Sequence, residues 1–459
     1  MRKMVTSVGI VALGAASVQA AAYAPGFAST DLSQPWSISA TLRGFYDDNY
    51  LTASDDSSAK RSSYGFVVSP SGSVALSTEQ NELGARYTFS AYYFDDRRDD
   101  PWDFTHQFDG YWSHTFSQRF NLHVSDQFVM AQESQILDPL GSGTPYRTLG
   151  DNLRNSAAIT LNAQLTRLIG LVLGYRNTIY DYQQDANDVY DLYDSVAGPF
   201  ALPRYVYPSA NGPYFLAGGS YSALLDRMEH GMLADLQWRL SPQTVGVLGY
   251  TFGIIDYTGD DYIAGGEFLF IDNEPTSGAI PRSDGRNFYD HKAYVGVDHT
   301  FNPDFTVAVR GGIEYADFYN SSSGYTKAAP YGNLDLRYRF GAASYIDAGF
   351  QQRFNATDVI AYNSSASIAY ASVNHAFTPQ LSGSVLGQYQ YSEFNSRQFP
   401  GLSDYDGQSE SYYLLGLNLS YRFNRHFAAE VGYNFDMLDS TLGRDFTRNR
   451  VYVGMTAAY

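Results

Sequence analysis

Eight histidines are the first residues whose chemistry must be weighed. His114, His299, His375 and His426 each stand beside a short turn sequence, while His106, His230 and His291 lie farther along their segments. A hydrolytic site would need one of the latter three next to a serine nucleophile on a neighbouring strand. No motif around them marks such a serine. The turn histidines read instead as residues of a water–lipid boundary. Asp185, Asp188, Asp191 and Asp194 recur every third residue, with Tyr190 and Tyr193 between them. Carboxylates in a loop can hold Ca²⁺, but an EF-hand needs alternating ligands, a glycine and a terminal Glu. A solvated acidic loop is the simpler reading. Asp95, Asp96, Asp99 and Asp100 around Arg97 and Arg98 read as local salt bridging. Tyr205, Tyr207, Tyr214 and Phe215 suit either stacking on sugar rings or packing of their own loop. The chain has no Cys, which removes disulfides and thiolate metal sites. No catalytic, cofactor or metal residue is assigned, and a non-enzymatic protein is expected.

A second set of charges lies on the polar side of alternating segments. Arg43, Arg86, Arg176, Arg239, Arg337, Arg339, Arg353, Arg422, Arg448 and Arg450 share that side with Asp109, Asp235, Asp298, Glu314, Asp335, Asp347, Glu430 and Asp436. Around a water-filled lumen such groups tune ion and solute selection. They can equally pair across the wall and stiffen it, and both readings stay open. Arg86, Arg337, Arg339, Arg422, Arg450, Asp335, Glu314, Glu430 and Asp436 are the pore-lining candidates.

The elements that position these residues are strands. From Trp36 to Tyr459 the chain repeats one unit: an alternating segment, a tight turn, another segment, then a longer polar loop. After Pro330, Gly332, Leu334, Leu336, Tyr338 and Phe340 oppose Asn333, Asp335, Arg337 and Arg339. After His426, Phe427, Ala429, Val431, Tyr433, Phe435 and Met437 oppose Glu430, Gly432, Asn434 and Asp436. Period-two alternation marks strands with one apolar and one polar face. An apolar face in nearly every segment calls for a continuous apolar medium; two packed sheets would leave unpaired edges. Asp126 breaks the pattern by falling on the apolar side of 120–133, and 365–377 reads in either register.

The tight turns share a formula, as in His299-Thr-Phe-Asn-Pro-Asp-Phe305, His375-Ala-Phe-Thr-Pro-Gln-Leu381 and Tyr421-Arg-Phe-Asn-Arg-His-Phe427. Pro presets φ, and Asn, Ser or Thr bonds the local backbone. The flanking aromatics would form a girdle at one boundary. The remaining connections are long and acidic. Short turns at one end and long loops at the other are the asymmetry of outer-membrane barrels. The parse gives a single antiparallel transmembrane β-barrel over 36–459, all-β, of about 18 strands, with 16 as the nearest alternative. Its short turns are expected in the periplasm and its long loops outside the cell.

Composition agrees. Aromatics make up 16% of residues, charged residues 17%, and mean hydropathy is −0.30, as half-apolar strands require. A net charge of −18 speaks against nucleic acid, since no basic patch can neutralise phosphates. Met1-Arg2-Lys3, an apolar run from Val5 to Val18 and small residues at Ala20 read as a secretory signal peptide over 1–20. Residues 21–35 read as a flexible periplasmic segment.

The last segment alternates strictly: Val451, Val453, Met455 and Tyr459 on one side, Arg450, Tyr452 and Gly454 on the other. It resembles the C-terminal signal read by barrel assembly machinery. Gly44-Phe-Tyr-Asp-Asp-Asn-Tyr50, Val68-Ser-Pro-Ser-Gly72 and the segment Glu82–Phe94 resemble the opening of the putative beta-barrel porin 2 family. The resemblance covers residues 36–116 and is architectural beyond them. It implies an outer-membrane barrel associated with exopolysaccharide export, in contact with outer-membrane lipids and polysaccharide export components, and brings no catalytic residues. The expectation is a porin-like channel for saccharide or exopolysaccharide; the alternative is a non-conducting structural or surface-binding barrel of an exopolysaccharide assembly, and a barrel hydrolase ranks last.

Overall fold

The computed structural model describes residues 35–55, 60–97, 101–133, 149–183, 206–209, 212–215, 221–259, 270–271, 274–275, 282–321, 324–357, 359, 361–396 and 405–459. The leader, residues 21–34 and the acidic run Asp185–Asp194 lie outside them.

Eighteen long strands form one sheet. They are β1 (Trp36–Asp47), β2 (Ser63–Ser77), β3 (Asn81–Phe94), β4 (Trp102–Ser117), β5 (Phe120–Glu133), β6 (Leu149–Gln164), β7 (Ile169–Tyr182), β8 (Arg227–Ser241) and β9 (Thr244–Tyr257). The second half comprises β10 (Phe288–Asn302), β11 (Phe305–Asp317), β12 (Thr326–Gly341), β13 (Ser344–Asn355), β14 (Asn363–Ala376), β15 (Leu381–Asn395), β16 (Ser409–Arg422), β17 (Phe427–Ser440) and β18 (Phe446–Ala458). Each strand is antiparallel to its chain neighbours. β1 pairs with both β2 and β18, from Ser39↔Ala458 to Asp47↔Arg450. The sheet therefore closes on itself and leaves no open edge, the condition for a sheet in hydrocarbon. The structure settles the count at 18.

The short connections all lie at one end, and their turn residues act as their chemistry requires. Asn302 Oδ1 accepts the Asp304 N–H at 2.9 Å, Thr378 Oγ1 accepts that of Leu381 at 2.9 Å, and Asn424 Oδ1 accepts that of His426 at 2.8 Å. Each local bond holds the chain in its reversal and sets the register of the next strand. The chain end is fastened at the same rim. Tyr459 and Ile38 exchange backbone hydrogen bonds of 2.8 and 3.1 Å, and the Tyr459 ring stacks on His426 and meets Trp36.

Burial alternates along the strands in the sense opposite to that of a water-soluble barrel. On β18, Val453 is 65% exposed while its neighbour Tyr452 is 5% exposed. The outward columns carry most of the exposed large apolar side chains, and the inward columns hold the polar groups. The ambiguous segment 365–377 is resolved by pairing: Gln351↔Ile368 and Gly349↔Tyr370 turn Ile368, Tyr370 and Ser372 inward and leave Ala369, Ala371 and Val373 outside. Apolar clusters line the inside near the long-loop end, including Phe288, Phe318, Phe354 and Tyr362, and Leu386, Tyr412, Leu414, Leu438 and Phe446. A one-turn helix, α1 (Tyr221–Leu225), packs Leu225 against Tyr182.

Candidate functional site

The inner wall is built row by row, where a row is the line of residues paired across successive strands. One device recurs three times. On one row Asp235, Gly249 and Tyr294 stand on β8, β9 and β10. On another Asp335, Gly349 and Tyr370 stand on β12, β13 and β14. On a third Asn418, Gly432 and Tyr452 stand on β16, β17 and β18. Each tyrosine ring lies over the glycine and reaches the polar side chain two strands away. The Tyr294 hydroxyl donates to Asp235 at 2.6 Å, that of Tyr370 to Asp335 at 3.1 Å, and Asn418 donates to the Tyr452 oxygen at 2.9 Å. The glycine is required: a Cβ on Gly249 would stand 2.1 Å from the Tyr294 ring, and one on Gly432 would stand 2.1 Å from that of Tyr452. A fourth ring, Tyr111 over Gly84, finds Ala75 at the third position.

Between these clasps the charges pair. Arg43 donates to Glu430 at 2.6 Å and lies 4.3 Å over the Tyr452 ring. Arg310 meets Asp298 at 2.6 Å. Lys292 sits between Asp290 and Glu314, the latter at 2.9 Å, and Glu314 also accepts the Phe354 N–H at 2.9 Å. At the seam where the barrel closes, Asp47 receives both Arg448 and Arg450, the latter at 2.9 Å. In dry surroundings a carboxylate needs this many donors to stay ionised at tolerable cost.

The sequence candidates fall into three places. Arg337, Asp335, Glu314, Glu430, Arg450 and Asp436 stand on the inner wall, Arg337 bonded to Asp347 at 2.6 Å and Asp436 directly opposite Arg448. Arg86 stands opposite Asp109, which also accepts from Gln107 and Gln127 at 3.0 Å. Arg339, two residues before the end of β12, and Arg422, the last residue of β16, stand at the short-turn rim, where Arg422 donates to the Pro379 carbonyl at 2.7 Å. Val451, Val453, Met455 and Tyr459 all face outward on or just past β18. Charge-centred reading missed Tyr294, Tyr370 and Tyr452. The available signal was a tyrosine in a polar column, but its partners depend on register.

Not all of the wall is charged. β14–β16 present Ser364, Ile368, Ser372, Leu386, Gln388, Gln390, Ser392 and Leu414 inward. Between β2 and β3 two inward contacts are between neutral groups, Ser69–Ser90 at 2.9 Å and Thr88–Ser71 at 3.0 Å.

Seven of the eight histidines lie on the outer side, not in a cleft. His114, His299 and His375 pack edge-on against Phe116, Phe301 and Phe377 at the short-turn rim. Their Nδ1 atoms meet Asn81, Thr244 and Ser344 at 2.8–3.0 Å. Farther out, Tyr87–His106, Tyr175–His230 and Tyr250–His291 repeat one cross-strand bond of 2.7–2.8 Å. His123 alone points inward, beside Tyr111. The outward seven read as a girdle of rings and polar side chains.

No curated protein matches the chain. Among solved structures it is similar to OccAB4 of Acinetobacter baumannii (13% identity, 93% of this chain and 99% of that one, TM-score 0.41). It is also similar to a BenF-like porin of Pseudomonas fluorescens (10%, 93% and 99%, TM-score 0.42) and to OpdK of Pseudomonas aeruginosa (12%, 92% and 99%, TM-score 0.41). The family resemblance read at the opening strands is met at the other end of the chain: residues 328–459, from β12 to the end of β18, match the family described as putative beta-barrel porin 2.

Proposed function

We propose that the protein is an outer-membrane channel for neutral, hydroxyl-rich solutes of the saccharide class, with no enzymatic step. One observation carries the reading: four cations of the inner wall are each held against a carboxylate. Arg43 with Glu430, Arg310 with Asp298, Arg337 with Asp347 and Lys292 with Glu314 are held at 2.6–2.9 Å. A wall lined by one sign concentrates counter-ions; paired charges leave little field. What the wall leaves open to a solute is hydrogen bonding from partly exposed neutral side chains such as Ser71, Ser73, Asn121, Ser125, Gln127 and Ser384. In this reading the 1–20 leader directs export, and the barrel assembly machinery reads the last strand through Val451, Val453, Met455 and Tyr459. Polysaccharide export components are the expected partners.

A second reading has one observation in its favour. The inner apolar patch of Leu386, Tyr412 and Leu414 is buried to 2–3% exposure, which suits a barrel that is closed there and serves as a structural part of an export assembly. Planar-bilayer recording separates the two. The channel reading expects single-channel steps with weak preference between K⁺ and Cl⁻, and current blocked by oligosaccharides. Steps with strong ion preference and no sugar block contradict it; absence of conductance from folded protein supports the second reading.

A further inference from the structure

Asp126 is the seventh residue of β5 and so sits near mid-strand. Its column also holds Phe120 and Met130, which are exposed on the outside, whereas Val129 and Ala131 of the other column are buried. Among the described side chains, the other outward carboxylates of the strands are confined to the rim: Asp181, Asp256, Asp317, Glu393 and Asp439 each occupy the thirteenth position of β7, β9, β11, β15 and β17. Among the described residues, no outward strand position carries Lys or Arg. Asp126 is thus a carboxylate alone in the apolar belt.

Its surroundings are arranged. Oδ1 accepts the Asn155 amide at 2.9 Å. Its row runs Gly110, Asp126, Ala157, Asn177, His230 across β4–β8. Gly110 and Ala157 are the small neighbours on either side, and Phe108 and Trp112 stand above and below Gly110, both exposed. The Phe108 ring leans over Gly110, 3.2 Å from where a Cβ would stand. Farther along the row Asn177 approaches His230 at 3.3 Å. In the two sister Tyr–His pairs the position of Asn177 is held by Phe89 and Phe252. Only this sector replaces the ring with an amide.

We propose that the outer face of β5–β8 is an interface for a second copy of this chain, the two related by a two-fold axis along the membrane normal. Hydrocarbon offers no donor to the second oxygen of Asp126. The patch holds an acceptor, Asp126, and the amide of Asn155, which has a second N–H to give beyond its bond to Asp126, so a two-fold axis sets acceptor against donor. A copy has no outward cation to bring, so the contact is carboxyl to amide. Gly110 and Ala157 let the two walls approach closely, as small residues do between membrane segments. The inference rests on the membrane placement of the barrel and not on its solute.

The chain has no Cys, so one introduced thiol reports one site. Ala157→Cys, treated with a short bifunctional thiol reagent in native membranes, is expected to give a product of twice the chain mass; Val385→Cys on the far side is expected to give none. Adding Asp126→Leu to Ala157→Cys should lower the cross-linked fraction by about a hundredfold, the scale of the two hydrogen bonds to a charged group that a two-fold contact loses. Folding is read separately by heat-modifiable migration. If Asp126→Leu does not fold, Asn155→Leu serves as the second test and should lower cross-linking likewise. Equal cross-linking at Ala157 and Val385, a product of another mass, or cross-linking unchanged by the Leu variants overturns the proposal.

Discussion

The two faces of β12 show how differently the two sides of one wall are satisfied. Outside, Leu334, Leu336 and Tyr338 form no hydrogen-bonded network and need only an apolar medium. Inside, Asp335 holds the Tyr370 hydroxyl over Gly349, and Arg337 holds Asp347. The outer face should therefore tolerate changes of shape but not of charge. The inner face should tolerate changes of charge wherever water can enter, but not the loss of a fitted contact.

The largest effect should come from putting charge on the wrong side. Leu336→Arg is expected to cost about 2–4 kcal/mol if the position is near the bilayer midplane, seen as loss of folded yield in detergent. Arg337→Leu should fold nearly as well as the parent, because that guanidinium is 48% exposed and its pair is screened. It should instead shift the ion preference of the channel. Equal losses for the two would erase the contrast between the faces.

A smaller effect sharpens the inner-wall half. Gly249→Ala places a methyl where the Tyr294 ring lies and should cost about 1–3 kcal/mol, the usual range for overpacking. Tyr294→Phe keeps the ring and removes only the bond to Asp235, so it should cost less. Urea titration of the refolded barrel gives both values. If Gly249→Ala is harmless, the ring does not need that glycine.

These clasps also mark the limit of what could be read in advance. Strand alternation, turn chemistry, the girdle histidines and the closing strand are local patterns, and lipid outside with water inside stamps period two on each segment. Which residues share a row is not local. Arg43 and Glu430 are 387 positions apart, and Tyr294 and Asp235 are 59 apart; their meeting depends on the stagger summed around the barrel. β14 was ambiguous because serines and alanines fill its outer column, so polarity gave no contrast. Register decided it through Gly349↔Tyr370. Asp126 broke the pattern in sequence, and it keeps its outward place in the structure.

The smallest expected effect lies outside the strands, where α1 caps the rim. Burial pushes the Asp226 carboxyl up to about 7 from its ordinary 3.8, against the Tyr182 N–H that it accepts at 2.7 Å. A carboxyl that is raised on folding adds stability below pH 3.8, and that contribution is lost as pH rises through 7. Exchange of the Tyr182 amide should therefore, after correction for intrinsic rate, quicken across that window. Asp226→Asn should flatten the dependence while keeping an acceptor. No pH dependence in the parent would show that the rim does not feel this carboxyl.

The claim that these strands face lipid on one side and water on the other is tested most directly on β12. Single cysteines placed in turn at 333–338 would carry a spin label in bilayers, with collisions measured against oxygen dissolved in lipid and a nickel chelate dissolved in water. The account predicts strict alternation: labels at Leu334, Leu336 and Tyr338 relaxed by oxygen, and labels at Asn333, Asp335 and Arg337 by the chelate. The same response at all six positions, or alternation in the opposite phase, would contradict it.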